Sequence, residues 1–218
     1  YLQSLYEKKL CTYPRTDSRY LTSDMAEGLP VLVNLVANAM PFRKGIAISC
    51  DEAQVINDKK VTDHHAVIPT RNLQNADLSG LPVGERMILE LVALRLLCAA
   101  AEPHTYSETA VTVECAGAEF TTKGKTVERP GWRALDAAYR SALKNAEPDK
   151  ENEDKILPEL SEGQTLPISN AAVKEGKTSP PKHFTEDTLL SAMETAGKED
   201  MPEDAERKGL GTPATRAG

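Results

Sequence analysis

Tyr13, Arg15 and Asp17 put a phenol, a guanidinium and a carboxylate at alternate positions, with Pro14 between the first two. Proline pushes the residue before it toward extended backbone, where alternate side chains share a face. The three groups are therefore expected to point the same way. A free tyrosine ionises near pH 10, at about three units above neutrality, and is a poor nucleophile. An adjacent arginine favours the phenolate, grips a phosphate oxygen through a two-pronged fork, and stabilises the charge gained by phosphorus during attack. Asp17 can orient Arg15, while Thr16 and Ser18 offer hydroxyls to neighbouring phosphates. The chemistry that fits is nucleophilic attack on a phosphodiester. The same residues also suit a turn with a surface tyrosine and an ion pair, because short motifs recur by chance.

A second group of reactive types follows about fifty residues on, in Asp63-His64-His65-Ala66-Val67-Ile68-Pro69-Thr70. Two adjacent histidines cannot both face one site on a regular helix or strand, so one should be functional or exposed and the other structural. A histidine near a scissile phosphate donates to a non-bridging oxygen or helps to move a proton. A metal role needs further ligands at workable spacing, and only Asp63 is close, so no metal site is expected in this chain. Cys11, Cys50, Cys98 and Cys115 lie far apart and form no C-x-x-C pair. They read as buried thiols rather than disulfides or zinc ligands.

The elements that must position these groups can be read in outline. Leu2, Leu5, Tyr6 and Leu10 fall at helical spacing, so residues 1–10 suggest a short amphipathic helix that Pro14 prevents from extending. Thr22, Ser23 and Asp24 are good N-caps for a helix to about Ala39, which Pro30 kinks or splits and Pro41 follows. The clearest helix covers about 85–101, with Met87, Ile88, Leu91, Leu94, Leu97 and Cys98 on its buried face and Pro103 at its end. Beyond Pro103 the period becomes alternating. Ser107–Cys115 reads as a strand, with short strands expected near 118–122, 125–128 and 164–173. The acidic stretch 147–162 reads as an exposed connection, and Thr185 caps a helix running to about Ala196. The fold class is α+β in three segments: helical over 1–103, β-rich over 104–178, and the start of a helical unit over 179–218.

Composition sets wider bounds. The 218 residues are 40% hydrophobic and 27% charged, an ordinary soluble mixture. No apolar run is long enough for a membrane span, and no basic stretch followed by an apolar one marks a secretory signal, so no membrane partner and a cytoplasmic location are expected. The start at Tyr1 and the stop at Gly218, just after a Thr215-Arg216 pair that looks like a helix opening, read as the ends of an excised piece. A net charge of -7 has the wrong sign for a simple nucleic-acid-binding domain. Distribution qualifies that sum. Acidic residues crowd at 147–162 and 199–206, whereas Arg15, Arg19, Arg71, Lys182 and Arg216 sit beside motifs.

Together the residues resemble a known family. Tyr13-Pro14-Arg15-Thr16-Asp17-Ser18-Arg19-Tyr20-Leu21, followed by His64-His65-Ala66-Val67-Ile68-Pro69-Thr70, resembles the active-site tyrosine region and the following histidine motif of type IA DNA topoisomerases. The Arg-Tyr-Leu continuation and the double histidine are similar to the topoisomerase III branch. Pro180-Pro181-Lys182-His183-Phe184-Thr185, then Leu189-Leu190, resembles the segment leading from the arch domain back to the base. Gly209-Leu210-Gly211-Thr212-Pro213-Ala214-Thr215-Arg216 resembles the Gly-x-Gly-x-x-[ST]-[TY] element after it. Four motifs in family order span nearly the whole chain.

The resemblance implies a winged-helix-like catalytic domain over 1–103, a small antiparallel β arch over 104–178, and the start of a helical DNA-binding base over 179–218. It implies Tyr13 as the nucleophile that forms a 5′-phosphotyrosyl link, Arg15 as the residue that places the scissile phosphate, and His64 as the phosphate-side histidine. His65 falls where the topoisomerase I branch has a carboxylate. Thr16, Asp17, Ser18, Arg19, His65, Thr215 and Arg216 are then expected along the DNA. Thr212 and Ala214 stand where the topoisomerase I branch has an arginine and a serine, so those two contacts are not carried over. The late Gly-x-Gly also suits a helix-entry turn, which is compatible with phosphate binding at a helix N-terminus. Magnesium is implied for the family's Toprim domain, which lies before this region and is not in this chain. The implied partners are single-stranded DNA and the rest of the same polypeptide.

Two other tyrosine chemistries fit poorly. Tyrosine recombinases place the tyrosine after their arginine and histidine residues, and relaxases need a three-histidine metal cluster. A non-catalytic winged-helix-like DNA-binding scaffold remains the alternative of a different class.

Overall fold

Residues 2–7 start the chain as α1 (Leu2–Glu7), a short helix that buries Leu5 completely and stops at Lys9, whose φ of 59° breaks the helical turn. The computed structural model describes residues 1–43, 45–143, 156–173, 175–197, 209–211 and 215. The chain divides into two compact units, Tyr1–Leu157 and Pro158–Gly218.

In the first unit the segment after the turn at Lys9 runs without helix to Leu21, with a bend at Pro14. A 3-10 turn, Ser23–Gly28, then leads into α2 (Leu29–Ala39). Pro30 accounts for this split. It sits in the first turn of α2, where its missing N–H costs nothing, and the residues before it wind more tightly instead. Helix α3 (Val83–Ala100) is the longest of the described helices, and α1 and α2 both pack on it. Leu29, Val33, Val36 and Ala37 of α2 meet Leu89, Ala93, Leu96, Leu97 and Ala100 of α3 in one buried cluster that also takes in Leu5, Leu10, Cys11 and Leu21. Each fully buried leucine contributes roughly 2 kcal/mol. Met87 and Leu91, expected on the buried face of α3, are 51% and 38% exposed. The helix is apolar nearly all round, so periodicity alone could not select the face. Glu85 and Ala93 take buried positions instead because α1 and α2 approach from that side.

Strands β1 (Thr105–Cys115) and β2 (Ala118–Arg129) form an antiparallel two-stranded sheet closed by Ala116–Gly117. The two short strands expected near 118–122 and 125–128 are one strand, because Gly124 pairs with Thr109 without interrupting the ladder. A helix absent from the sequence reading follows. It is α4 (Arg133–Ala142), whose buried Leu135 and whose Tyr139, edge-on to Phe42 at 5.2 Å, pack it against α3 and the Pro41–Arg43 turn.

In the second unit the strand expected at 164–173 is not formed. The described residues there carry no ladder and are exposed, since β1 and β2 pair only with each other. Helix α5 (Glu186–Thr195) begins where expected. Thr185 accepts from the Thr188 N–H and Thr188 accepts from the Thr185 N–H, a reciprocal cap. The Leu210 N–H donates to the Met193 carbonyl, and Gly209 and Gly211 both hold left-handed φ, 62° and 68°. A β-carbon on Gly209 would lie 2.3 Å from that same carbonyl, so only glycine fits there. Mixed helix and sheet agree with an α+β class. No described helix is long and apolar enough to cross a membrane.

Candidate active site

The extended segment Leu10–Leu21 is fastened along its length to residues 56–70. Thr70 N–H donates to Leu10 O (2.9 Å), Thr12 N–H to Ile68 O (2.9 Å), and Ala66 N–H to Tyr20 O (2.9 Å). Cys11 bridges Pro69, and Leu21 bridges Ile56. Side chains add to the clasp. The Thr12 hydroxyl accepts from Ile68 N–H at 3.0 Å, and the Thr16 hydroxyl donates to the His64 carbonyl at 2.7 Å. The two motifs that lie far apart in sequence are thus laid side by side.

This brings Tyr13 and His64 together. Their ring centroids are 4.3 Å apart with planes tilted by 40°, and Tyr6 of α1 meets Tyr13 edge-on at 5.5 Å. Tyr13 is half-buried, while His64 is exposed. His65 turns away and places its Nδ1 2.7 Å from the Ala66 carbonyl.

The chain bends at Pro14, and regular alternation begins only after it. Arg15, Asp17 and Arg19 are exposed, whereas Thr16, Ser18 and Tyr20 face the clasped segment. Arg15 and Asp17 share a side as expected. Tyr13, lying before the bend, takes its ring contacts from Tyr6 and His64. Among the described residues Arg15 makes no ion pair with Asp17. The hydroxyl protons of Thr16 and Ser18 go to backbone carbonyls, of His64 in the first case and of Lys60 or Tyr20 in the second.

Sequence reasoning missed Lys59 and Lys60. They belong to a 3-10 turn, Asp58–Lys60, tied to the Leu10–Leu21 segment by the Ser18 hydroxyl, which donates to Lys60 O at 2.9 Å. Lys60 Nζ reaches the Tyr20 hydroxyl at 3.2 Å. A Lys-Lys pair between Asp58 and Val61 has no spacing that marks it, so only the clasp reveals its position.

One other nucleophile lies nearby. Cys11 is 2% exposed, and burial pushes its thiol up to about 12, so it stays protonated and inert at neutral pH. Among the described residues no three His, Cys, Asp or Glu side chains converge on a point that could hold a metal ion. Thr215 is exposed in the second unit, and Arg216, Thr212 and Ala214 lie outside the described residues.

Comparison with known proteins places the chain in a family. Residues 1–218 match the family model described as DNA topoisomerase. The chain is 40% identical over 231 aligned residues to DNA topoisomerase 3 of Bacillus licheniformis, covering 99% of this chain and 30% of that protein. It is equally similar to DNA topoisomerase 3 of Bacillus subtilis, at 40% identity with 99% and 30% coverage. The Shouchella clausii protein of the same name is 36% identical with 99% and 30% coverage. The chain therefore spans about a third of the length of these relatives. A family-model match along the whole chain and relatives at 40% identity lead to one conclusion: the chain belongs to the bacterial type IA DNA topoisomerase family and is topoisomerase III-like.

Proposed function

We propose that this chain is the nucleophile-bearing part of a cytoplasmic enzyme that cuts and rejoins single-stranded DNA. The observation that carries the reading is the Tyr13–His64 pair, 4.3 Å between ring centroids, with Arg15 exposed two residues along. The Tyr13 phenol oxygen attacks the scissile phosphorus as the bond to the 3′ oxygen breaks. The products are a 5′-phosphotyrosyl link and a 3′-hydroxyl. Arg15 holds non-bridging oxygens and offsets the charge that builds on phosphorus, and His64 assists on the same phosphate. Attack by the 3′-hydroxyl reverses the step. The phosphotyrosine retains the bond energy, so no ATP is needed.

Arg19, Asp17 and His65 border the strand in this reading. Thr16 and Ser18 contribute chiefly by placing His64 and Lys60. Thr215 and Arg216 bind backbone elsewhere on the strand. Residues 1–103 act as the catalytic domain, 104–178 as an arch that lets it lift for strand passage, and 179–218 as the beginning of the base. Magnesium belongs, in this reading, to a Toprim domain of the parent polypeptide.

Tyr13→Phe in the full-length parent tests the assignment. We expect no covalent complex on a single-stranded oligonucleotide and retained binding. Relaxation that persists in this variant would favour a non-catalytic scaffold. The isolated chain is expected to show negligible covalent trapping, and efficient trapping would refute its dependence on the rest of the polypeptide.

A further inference from the structure

The Tyr13 segment is edged by cations that no carboxylate among the described residues neutralises. Arg15, Arg19, Lys59 and Lys60 are all exposed, yet the ion pairs among the described residues join Lys8 to Glu85, Lys123 to Glu108 and Arg140 to Asp136. Acids do lie nearby. Asp17 and Asp63 are exposed and unpaired with these cations, and the Asp58 carboxylate is engaged by the Ser23 N–H at 2.8 Å.

Lys60 differs from an ordinary surface lysine in being held at both ends. Its carbonyl accepts from Ser18 Oγ at 2.9 Å, and its ammonium sits 3.2 Å from the Tyr20 hydroxyl and 4.7 Å from the centre of that ring. Its turn is pinned twice more, through Asp58 to Ser23 and through the Asn57 N–H, which donates to Leu21 O at 2.9 Å. Ordering a lysine side chain costs up to about 2 kcal/mol of rotamer freedom, and here the ordering ends at no carboxylate. The ammonium has three N–H groups, so the Tyr20 hydroxyl leaves two free to donate. Two such donors on a fixed cation suit an anionic oxygen. Arg15 and Tyr20 are separated by five residues of extended backbone, on the order of 16 Å, so the anion is not the one at Tyr13.

We infer that Lys60, with Lys59 beside it, is a second phosphate-binding point on the single strand, gripping a backbone phosphate remote from the scissile one, with Ser18 and Tyr20 as its positioning residues. The inference rests on the reading that Tyr13 attacks single-stranded DNA.

The test is binding of a single-stranded DNA oligonucleotide by the full-length parent across a series of salt concentrations, in the Tyr13→Phe background. Lys60→Gln should weaken binding about 3- to 10-fold and lower the slope of log affinity against log salt by about 0.7, one phosphate contact on a single strand. Lys60→Arg should restore the slope. Ser18→Ala keeps the charge but frees the turn, so it should weaken binding with the slope intact. With Tyr13 present, Lys60→Gln should raise KM more than it lowers kcat. Unchanged affinity and slope in Lys60→Gln would overturn the inference, as would a loss confined to kcat, and an unaltered Ser18→Ala would overturn the positioning role. Covalent trapping by the Tyr13→Phe variant would instead defeat the functional reading and leave the salt result to be judged separately.

Discussion

Thr16 shows how one hydroxyl can hold two distant motifs together. It donates to the His64 carbonyl at 2.7 Å and accepts from the Ser18 N–H at 3.1 Å, so it ties both motifs at the level of the nucleophile. Thr16→Val keeps the shape and removes these bonds. In the full-length parent it is expected to lower stability by about 1 kcal/mol and to slow single-turnover cleavage more than it weakens DNA binding, while Thr16→Ser retains both. A Thr16→Val enzyme that cleaves at the parental rate would show that His64 needs no such tether. At this scale the motifs were legible, because Tyr13, Arg15 and the histidine pair are chemically distinctive types. The bend at Pro14 was legible only in part. Proline predicted extended backbone, and the structure adds the turn that separates Tyr13 from the alternation of Arg15, Asp17 and Arg19. Lys59 and Lys60 were not legible, since their significance comes from a hydrogen bond to Ser18 across the fold.

The hairpin and its root depend on backbone that only a few residue types tolerate. At the tip Ala116 and Gly117 both have positive φ, 51° and 79°, the two-residue turn that matches strand twist. Alanine is strained there, and asparagine adopts this region more readily. Ala116→Asn should therefore raise stability by about 0.5 to 1 kcal/mol, seen as a higher thermal midpoint, and a fall would contradict the turn assignment. At the root Gly131 has φ 49°, and an added β-carbon would lie 2.4 Å from the Pro103 carbonyl and 2.5 Å from that of Glu102. Backbone cannot swing aside as a side chain can. Gly131→Ala should cost at least about 2 kcal/mol, and a denaturant midpoint equal to the parent's would refute that packing. Caps and prolines made the ends of α2 and α5 readable, through Pro30 and Thr185. The face of α3 was not readable because Met87 and Leu91 are as apolar as Leu89 and Leu97. Helix α4 escaped notice because Arg133–Ala142 buries only Leu135 and its reason for folding is the Phe42–Tyr139 contact, a tertiary one.

For the first unit, the junction of α1 and α3 sets a pH response. Glu85 is buried and accepts from the Lys8 ammonium and from the Ser4 hydroxyl, at 2.8 Å for the latter. The Lys8 bond and then the Ser4 bond hold its carboxyl below the ordinary value of 4.5. A depressed acid contributes stability that is complete above its unfolded pKa and fades as pH falls through the folded one. The stability difference between the parent and Glu85→Gln should thus be constant above about pH 5 and shrink in more acidic solution. Urea titrations at several pH values would reveal it, and a difference that grows on acidification would contradict the sign. Cys11, with its thiol pushed up to about 12, should resist alkylation until the unit opens, so its labelling rate reports that opening.

The clasp between Leu10–Leu21 and residues 56–70 also carries a temporal consequence. Bringing its halves together closes a loop of about fifty residues, an entropic cost of about 3.5 kcal/mol before any contact repays it. Short-range helices can form earlier, but Tyr13 meets His64 only when that loop shuts. A growing chain that has not yet emerged past Thr70 therefore exposes its tyrosine without the histidine beside it. The pairing of the two rings arrives in one step, late, together with the folded core that supports it.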